Sequence, residues 1–592
     1  MGALLSHRVV PTVVTGWDVS LLRKIFNVIV GLISVPAFWV LTIRCAWPIT
    51  LDMIVVIALT ELNRFFNEGR RITFCEQGLS PNNDAESKNL DLELEPPKSR
   101  LDCMAAVVGW REDPALFTRA LQSYKSAIGC DFLLVGIDGD EADDQDMVDV
   151  FNSVYPANSK VIHIAEPLGE IAEQVVLQEI SKCQQAGREV NKEKCHEIAL
   201  RHCIDLAVKV LEEEDITFSG KRQIKQLCLR QKHLHKKGIM FTTFIFSIVI
   251  ADILGVEFLW SSDSDTLVLP QSIERSVNCV AADPKIGGAS TGLIIHNQEE
   301  TAITRLSSTV YWSELYLTRS STAVTATSDC QSGPSTLFRV SALPCILVPW
   351  YGQSILGKRM IINEDRHLTT NLLARGWGVV FSSDVLTATD TPTTLSRWLK
   401  QQVRWGRATH VEAIFHPQVY VKHNPLLFFS MAKREVWPLI IATAVACYIF
   451  TDKQVIHFSF GDMVLRNFVG VGYNMLRNPQ RLSLASYFWV IPGMFFYHFP
   501  LPAVHFWSLV TLTADGWGTS MRSSGERARR EGVRQAWWET GFFTVWMALA
   551  GAAFSKWIAI NLSIQEEYMV IAMCSGALLA SFTTWKATIS GA

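Results

Sequence analysis

The sequence predicts a mixed α/β domain set between groups of membrane-spanning helices. Of the 592 residues, 49% are hydrophobic and only 19% are charged, which is apolar for a soluble protein and too charged for one made of spans alone. Apolar strand-like runs alternate with helical patterns in the central part of the chain, an order typical of a mostly parallel sheet. Long apolar runs lie on both sides of it. We therefore expect a membrane protein with a sizeable aqueous domain.

Charge and cysteine content exclude two classes of protein. The formal net charge of −3 provides no general attraction to nucleic acid, so nucleic acid is not an expected partner. The 13 cysteines are scattered and lack the paired spacing of a zinc site or a small disulfide framework. They are predicted to be reduced, buried thiols of a cytosolic domain.

Residues 1–71 predict an N-terminal membrane hairpin of about two spans. The run at 25–47 is long enough to cross a bilayer core of roughly 30 Å, and the run at 49–62 could return the chain. Arg64, Arg70 and Arg71 follow at once, and the positive-inside rule then places the next region in the cytosol. The acidic, polar stretch 72–100 is predicted to be a linker.

The aqueous domain is predicted to cover residues 101–390. Four strand-like runs stand out in it, and a polar helical insertion lies at about 166–230; the runs are 104–109, 132–138, 161–165 and 256–263. Residues 241–260 are apolar enough for a membrane span. Because Asp252 lies inside this run and Gly255 divides a helical half from a β-rich half, we expect a buried helix followed by a central strand.

The helix around residue 200 raises the question of a metal site. Cys195, His196, His202 and Cys203 offer possible ligands. The apolar positions follow helical spacing and no compact ligand pair shares a face, so an amphipathic helix is favoured over a metal site.

The last third of the sequence returns to the membrane. Residues 391–435 predict amphipathic helices at the bilayer surface, and residues 436–592 predict about four spans with a basic, cytosolic loop at 514–536. The candidate spans are 437–450, 485–513, 537–557 and 568–585.

Acidic side chains follow several of the predicted strands. Asp263 and Asp265 lie two residues apart at a strand end, where a turn can direct both carboxylates to one point. Such oxygen ligands suit Mg²⁺ or Mn²⁺, which would bridge a diphosphate. Glu112 and Asp138 follow two other strands, so the acids gather at one edge of the sheet. A solvated acidic turn is the alternative.

Two helices carry further candidates. Asn363 precedes Glu364 and Asp365, which fits either a capped helix start or a general base, Asp365, at the mouth of a cleft. Farther along, the basic stretch 395–410 has the spacing of a helix on a membrane surface. Within it Gln401, Arg404 and Trp405 share one helical face.

These motifs together resemble a known signature. The ordered set Asp138, Asp263-Ser-Asp265, Asp365 and Gln401-x-x-Arg404-Trp405 is similar to the "D, DxD, D, QxxRW" pattern of processive family-2 glycosyltransferases, which include cellulose, chitin and hyaluronan synthases. The match covers about 300 residues in the correct order. The segments "CQSGP" (330–334), "EDRHLTT" (364–370) and "WGTSMR" (517–522) look most like hyaluronan synthases. The chain as a whole looks most similar to fungal type 2, capsule-associated polysaccharide synthases.

The resemblance implies a GT-A catalytic domain on the cytosolic face of the plasma membrane, a UDP-sugar donor, and export of a growing polysaccharide through the bilayer. By this resemblance the metal ligands for Mg²⁺ or Mn²⁺ are Asp263 and Asp265, and the catalytic residues are Asp365, Glu364 and Arg404. The donor site would comprise Gly109, Trp110, Glu112, Asp138, Lys236, Lys237, Asp263, Arg404, Trp517 and Arg522. The acceptor site would comprise Cys330, Ser332, Gly333, Gln401 and Trp405.

Two other functions fit parts of the pattern. A non-processive glycosyltransferase with a ceramide- or dolichol-type lipid acceptor shares the DxD and QxxRW motifs. A catalytically dead membrane scaffold or transporter would keep the fold without the reaction. One sugar or two alternating sugars fit the donor site equally, because specificity depends on a few pocket contacts.

Overall fold

The structure is a computed structural model that describes residues 17–45, 47–79, 103–220, 222–311, 315–453, 459–477, 487–514 and 533–589. Its centre is a nine-stranded sheet with the order β3-β4-β2-β1-β5-β8-β7-β11-β6. Strand β8 is antiparallel to β5 and β7, and β6 is antiparallel to β11, whereas the other pairs are parallel. A separate hairpin pairs β9 with β10. The strands are β1 Cys103–Gly109, β2 Cys130–Asp138, β3 Ser159–Ile164, β4 Gln226–Gln231, β5 Phe258–Asp263, β6 Leu267–Val268, β7 Ile286–Ile295, β8 Thr336–Arg339, β9 Ser354–Ile355, β10 Lys358–Arg359 and β11 Gly378–Thr389.

The helices of the first two thirds of the chain are α1 Leu21–Arg44, α2 Pro48–Leu79, α3 Pro114–Tyr124, α4 Gln145–Val154, α5 Leu168–Gln185, α6 Lys192–Glu213, α7 Lys236–Leu254, α8 Ser272–Ala281, α9 Ala302–Val310, α10 Tyr316–Ala323, α11 Leu347–Tyr351 and α12 Glu364–Ala374. The remaining helices are α13 Leu395–Phe415, α14 Pro417–Lys422, α15 Pro425–Thr451, α16 Phe460–Leu476, α17 Val490–His498, α18 Leu501–Val510, α19 Val533–Asn561 and α20 Met569–Ile589. We call α15 to α20 the C-terminal helical group. Short 3₁₀ turns lie at Ala142–Asp144, Val340–Ala342 and Glu566–Tyr568.

The mixed α/β prediction is confirmed, and the four predicted strands correspond to β1, β2, β3 and β5. Strand β4 was missed because it ends the polar region predicted as a helical insertion. Strands β7, β8 and β11 were missed because buried Ser, Thr and Gly interrupt their apolar pattern; in β11, for example, Ser382 and Ser383 are fully buried. The sheet therefore buries polar side chains, and a polar stretch in a sequence is normally assigned to a loop.

Helix α7 forms the apolar layer under the strands. Phe241, Phe244 and Ile248 pack in one cluster with Met104 of β1 and Leu134 of β2. The helix is long and apolar enough to span a membrane, yet 83% of that stretch is buried within the protein. It ends at Gly255, whose φ of 71° closes the helix in the left-handed conformation that glycine adopts without strain. The predicted buried helix followed by a strand is confirmed.

Four other helices among the described residues are long and apolar enough to cross a membrane: α1, α15, α19 and α20. The predicted spans at 437–450, 537–557 and 568–585 lie within three of these. The predicted span at 485–513 is two short helices, α17 and α18, separated around Pro500, because a prolyl ring interrupts helical hydrogen bonding. Helix α16 was not predicted.

Helix α2 differs from the predicted return span. It continues through Leu79, so the first residues of the predicted linker are helical, and residues 80–102 lie outside the described part of the chain. Asn63 and Asn67 donate hydrogen bonds to the carbonyl oxygen of Phe381 at 3.0 and 2.8 Å, and Arg71 pairs with Asp384 at 2.6 Å. Helix α2 is thus tied to the central sheet by polar contacts that lipid could not provide.

Helix α13 also differs from its prediction as a helix on the bilayer surface. Trp398 and Leu399, which that prediction places in lipid, are almost fully buried and pack with Val504 of α18 and with Phe543 and Trp546 of α19. Its apolar face is covered by protein. From the sequence alone, an apolar helix face that packs on protein cannot be distinguished from one that contacts lipid. The boundary predicted at 435/436 falls inside α15, which runs unbroken from Pro425.

Candidate active site

A cavity of about 1360 Å³ opens at the carboxyl ends of β1, β2 and β5 and continues between the helices. Its lining includes Asp138, Asp263 and Asp365 beside the strand ends, and Asp52 of α2 and Lys433 of α15 among the helices. This is the edge where parallel sheets bind ligands. The acidic strand ends that the sequence predicted to converge do converge here.

At the donor end an aromatic stack stands beside Asp138. The indole of Trp110 stacks on the ring of His233 with centroids 4.1 Å apart. The Nδ1 atom of His233 lies 2.9 Å from Oδ2 of Asp138, and the amide of Leu234 donates to Oδ1 at 3.2 Å. Hydrogen bonding to Asp138 raises the pKa of His233 above its ordinary value, against the effect of burial. The flat apolar surface beside a fixed carboxylate suits a nucleobase with its ribose hydroxyls.

Gly109 and Glu112 support the DxD turn. A Cβ on Gly109 would lie 2.4 Å from Oγ of Ser264, so a larger residue would push the turn away. Ser264 donates to Oε2 of Glu112 at 2.9 Å, and Glu112 is only 4% exposed. Both residues line the cavity, where they fix the residue between the two aspartates.

Lys236 connects the DxD motif to α12. Its Nζ lies 2.7 Å from Oδ1 of Asp263 and 3.1 Å from Oε1 of Glu364. Burial opposes the charge on Lys236, but the two carboxylates outweigh it and hold the lysine pKa above its ordinary value. Burial and the neighbouring Asp365 raise the pKa of Glu364, although Lys236 acts in the opposite direction. A lysine that stays protonated is thereby placed between the two walls of the cavity.

The predicted metal ligands fit a hard divalent cation. Asp263 and Asp265 both line the cavity, and Asp263 already holds one positive charge, the Lys236 ammonium. Oxygen-only ligands are those that Mg²⁺ and Mn²⁺ prefer. Nearby, Oε2 of Glu364 is buried and accepts no hydrogen bond from the described residues. The start of α12, which faces the DxD motif, therefore has acceptor capacity left for a cation or a donor hydroxyl.

Asp365 lies in the first turn of α12 on the opposite wall. Its Oδ1 accepts the amide of Arg366 at 2.7 Å, and the thiol of Cys330 lies 3.8 Å from its Oδ2. Burial and the Asp365 charge raise the pKa of Cys330 to about 11, so the thiol stays protonated and can donate. The floor is Gly333, where a Cβ would lie 3.0 Å from Nζ of Lys236.

The remaining predicted acceptor residues also line the cavity. Ser332 presents a buried hydroxyl that has no hydrogen-bond partner among the described residues, and the same holds for Oε1 of Gln401. Arg404 and Trp405 also line the cavity, and Trp405 meets Tyr311 edge-on at 6.0 Å. Unpaired polar atoms beside an aromatic ring suit a sugar, because its hydroxyls form hydrogen bonds with the polar atoms and its flat C–H face stacks on the ring.

The capping interpretation of Asn363 is wrong. Its side chain makes no capping hydrogen bond; it donates instead to Oε1 of Glu412 and to Oε1 of Gln353, each at 2.8 Å. Glu412 also accepts hydrogen bonds from Nδ1–H of His367 at 3.0 Å and from the side-chain amide of Gln353 at 3.1 Å. Despite burial, these donors and the charge of His367 lower the pKa of Glu412 to about 2. The carboxylate ties α12, which carries Asp365, to α13.

Glu412 and Asp329 are the residues that sequence reasoning missed. Glu412 lies eleven positions after Gln401, which is three helical turns and hence the same face, a signal that was present in the sequence. Asp329 pairs with Arg366 at 2.9 Å and with Arg434 of α15 at 2.7 Å. No spacing rule predicts these two ion pairs, because the paired residues are far apart in the chain.

Three predicted donor residues are not placed at the cavity. Lys237 is fully buried away from it, and its Nζ donates to the carbonyl oxygen of Met360 at 2.9 Å. The prediction is wrong because neighbouring residues of a helix point about 100° apart, so Lys236 and Lys237 cannot both face the donor. Burial lowers the pKa of Lys237 to about 7. Trp517 and Arg522 lie outside the described residues.

Comparison with known proteins finds a family model that matches part of the chain. Residues 182–408 match the model of the glycosyltransferase like family 2. Within these residues the chain carries a family-2 glycosyltransferase domain. The prediction of a glycosyltransferase is therefore confirmed, and the predicted mixed sheet is the one described above.

Several full-length proteins are similar to the chain. It is 25% identical to hyaluronan synthase 2 of Homo sapiens over 443 residues, which are 74% of this chain and 72% of the relative. It is also 25% identical to hyaluronan synthase 3 of Homo sapiens, over 71% of this chain and 69% of the relative. Among solved structures, mannosyltransferase PcManGT from Pyrobaculum calidifontis in complex with GDP-Man and Mn²⁺ is 12% identical, with a TM-score of 0.35 over 75% of this chain and 97% of that protein. These relatives leave the resemblance to the fungal branch a prediction.

Proposed function

We propose that this family-2 enzyme is a processive, inverting glycosyltransferase that polymerises sugar from a UDP-sugar donor into a polysaccharide. The observation that carries the proposal is one continuous cavity. It has Asp263 and Asp265 on one wall and Asp365 on the facing wall, and it continues between α2, α15 and α18. The similarity to hyaluronan synthases over most of the chain supports a polysaccharide product.

The geometry divides the chemistry between the two walls. On one wall Lys236 and Arg404 provide positive charge where a leaving diphosphate becomes more negative, which stabilises the transition state. Mg²⁺ or Mn²⁺ held by Asp263 and Asp265 would add charge to the same diphosphate. On the other wall Asp365 accepts the proton of the acceptor hydroxyl as that oxygen attacks the anomeric carbon. Attack opposite the leaving group inverts the anomeric configuration in one displacement.

The cavity also suits a growing polymer. Beyond Trp405 its lining includes Trp437 of α15 and Tyr497 of α17, aromatic rings that can stack on sugars. The path runs beside α15, which is apolar enough to cross a membrane. Each sugar added at the catalytic end would push the chain along this path. We place the catalytic domain on the cytosolic side of the plasma membrane, because arginines follow the N-terminal run and a basic loop lies at 514–536.

The decisive experiment is synthesis by the purified protein in nanodiscs with Mg²⁺ and a panel of UDP-sugars. We expect long products, resolved on a gel and identified with linkage-specific hydrolases. Transfer of single sugars to a lipid would favour the non-processive enzyme, and failure to transfer or hydrolyse any UDP-sugar would favour a dead scaffold or transporter.

The metal assignment has its own test. Asp265→Ala should abolish polymer synthesis together with its dependence on Mg²⁺ or Mn²⁺, because the carboxylate is buried at the cavity wall with no replacement oxygen in the alanine side chain. Full activity of the wild-type protein in chelator would contradict the assignment.

A further inference from the structure

Three ionisable side chains meet where α13, α15 and α18 join, and the reaction proposed above uses none of them. They are His410, Glu435 and His505, which we call the junction cluster, and all three line the cavity. His410 is 1% exposed and His505 is 6% exposed, and their rings lie 4.4 Å apart. One ligand atom from each residue lies within 4.8 Å of the others.

Hydrogen bonding in the cluster leaves two acceptors facing each other. The hydroxyl of Ser508 donates to the carbonyl oxygen of His505 at 2.9 Å, so its oxygen accepts Nε2–H of His410 at 3.0 Å. Nδ1 of His410 then lies 2.6 Å from Oε2 of Glu435, so the two atoms share a proton when no other cation lies between them.

Glu435 has further capacity for a cation. Its Oε1 is buried and has no hydrogen-bond partner among the described residues, although buried carboxylate oxygens are normally satisfied. The ring of His505 is oriented by a hydrogen bond to the backbone of Glu435. The nearest cation on the same helix, Arg434, is engaged by Asp329 at 2.7 Å.

We propose that the junction cluster binds a transition-metal ion of the Zn²⁺ type, at a site separate from the carboxylates of the DxD motif. Two imidazoles and one carboxylate are a common ligand set of zinc, whereas Asp263 and Asp265 offer oxygen alone. The Nε2–H of His410 already donates to Ser508, which is the outer hydrogen bond typical of a metal-bound imidazole. The ion replaces the proton shared by His410 and Glu435, and that proton leaves to solvent.

A second cluster of the same composition provides an internal control. His367, Glu412 and His416 also bring their ligand atoms within 4.8 Å. However, Glu412 already accepts hydrogen bonds from three side chains, and Nε2 of His367 is 3.1 Å from the amide of Asn371. Among the described residues, both carboxylate oxygens of Glu412 and Nε2 of His367 already face donors, so they have no free capacity for an ion.

Metal binding at the junction would affect turnover. His410 belongs to the helix that carries Gln401, Arg404 and Trp405, and the other two ligands belong to the C-terminal helical group. Contact there is already close, because a Cβ on Gly406 would lie 2.6 Å from Oγ of Ser508. An ion coordinated by all three helices would hold α13 in place and slow each addition step.

The test uses the full-length protein in nanodiscs, stripped with chelator and returned to saturating Mg²⁺, which occupies carboxylate-only sites. Zn²⁺ binding is measured by equilibrium dialysis, and Co²⁺ is used as a spectroscopic probe. We expect one site with the intense visible absorption of four-coordinate Co²⁺, and an affinity for Zn²⁺ lowered by about tenfold or more in Glu435→Gln and in His505→Ala. His416→Ala, in the control cluster, should bind Zn²⁺ as the wild type does.

Activity provides the second readout. Without Zn²⁺ the Glu435→Gln protein should synthesise polymer at the wild-type rate, and Zn²⁺ should slow the wild type but not this variant. If His505→Ala does not fold, proton release still decides: a pH indicator should register one proton per Zn²⁺ bound to the wild type. The proposal is overturned if wild type and Glu435→Gln bind Zn²⁺ equally, or if binding releases no proton.

Discussion

Two clusters of the same residue types lie on two faces of helix α13 and differ in their hydrogen bonding. Toward the central sheet, Glu412 of α13 is grouped with His367 and His416; toward the C-terminal helical group, His410 of α13 is grouped with Glu435 and His505. Glu412 accepts hydrogen bonds from three side chains, whereas Oε1 of Glu435 has no partner among the described residues. Composition therefore does not decide whether such a cluster ties helices together or receives an ion; the number of satisfied acceptors does.

Removal of Asp365, the proposed general base, should have the largest effect on sugar transfer. Asp365→Asn keeps the shape of the side chain but cannot take a proton, so transfer should fall by about 10² to 10⁴-fold while UDP affinity stays close to wild type. Single-turnover transfer and calorimetric UDP binding measure the two quantities. Glu364→Gln, which removes the negative charge paired with Lys236 but leaves Asp365 intact, should instead change UDP affinity; a polymer yield from Asp365→Asn near that of wild type would exclude Asp365 as the base.

Removal of Glu412, whose hydrogen bonds connect α12 to α13, should have the second-largest effect. Glu412→Ala leaves His367, Asn363 and Gln353 without their common acceptor, and a broken buried network of this kind costs about 3–5 kcal/mol. We expect a lower thermal midpoint and a lower kcat with little change in the donor KM, because Asp365 moves while the diphosphate wall stays. Glu412→Asp serves as the conservative control and should recover part of kcat. Equal losses of thermal stability and kcat in Glu412→Ala and Glu435→Gln would contradict the proposed difference between the two clusters.

A smaller effect is expected from steric change on the other face. In Gly406→Ala the new methyl group would meet Oγ and Cβ of Ser508 at 2.6 and 2.9 Å, so α13 and α18 must separate, at a cost of about 1–3 kcal/mol. Thermal unfolding in detergent measures this loss. The double variant Gly406→Ala/Ser508→Gly removes the clash and should recover most of the stability; no recovery would mean that the contact at Ser508 is not the cause.

The smallest predicted effect is a pH dependence of stability. The pKa of Glu412 is lowered from 4.5 to about 2 in the folded protein, so its contribution is complete above pH 4.5 and is lost as the pH falls toward 2. The difference in thermal midpoint between wild type and Glu412→Gln should therefore be constant from pH 8 to about 5 and shrink below that. A difference that grew on acidification would have the wrong sign for this carboxylate.

Much of the cavity lining could be predicted from sequence because its signals are local. Asp263 and Asp265 end a strand, Asp365 begins a helix, and Gln401, Arg404 and Trp405 recur at helical spacing, so each motif could be recognised within a few residues. Prediction failed where a choice depended on partners distant in the chain. Nothing near Lys236 and Lys237 indicates which of them faces the cavity.

The sequence by itself determined the class of the protein, the strand–helix alternation of the catalytic domain, and the identity of the acidic and basic motifs, because periodicity and motif spacing are properties of short segments. Only the tertiary structure decided that α13 is buried between two layers of protein, that Asn363 binds Glu412 across 49 positions of sequence, and that Glu435 keeps an unsatisfied oxygen beside His410. The physical reason is that burial and hydrogen-bond satisfaction depend on which surfaces meet, and the surfaces that meet at α13 come from four separate parts of the chain.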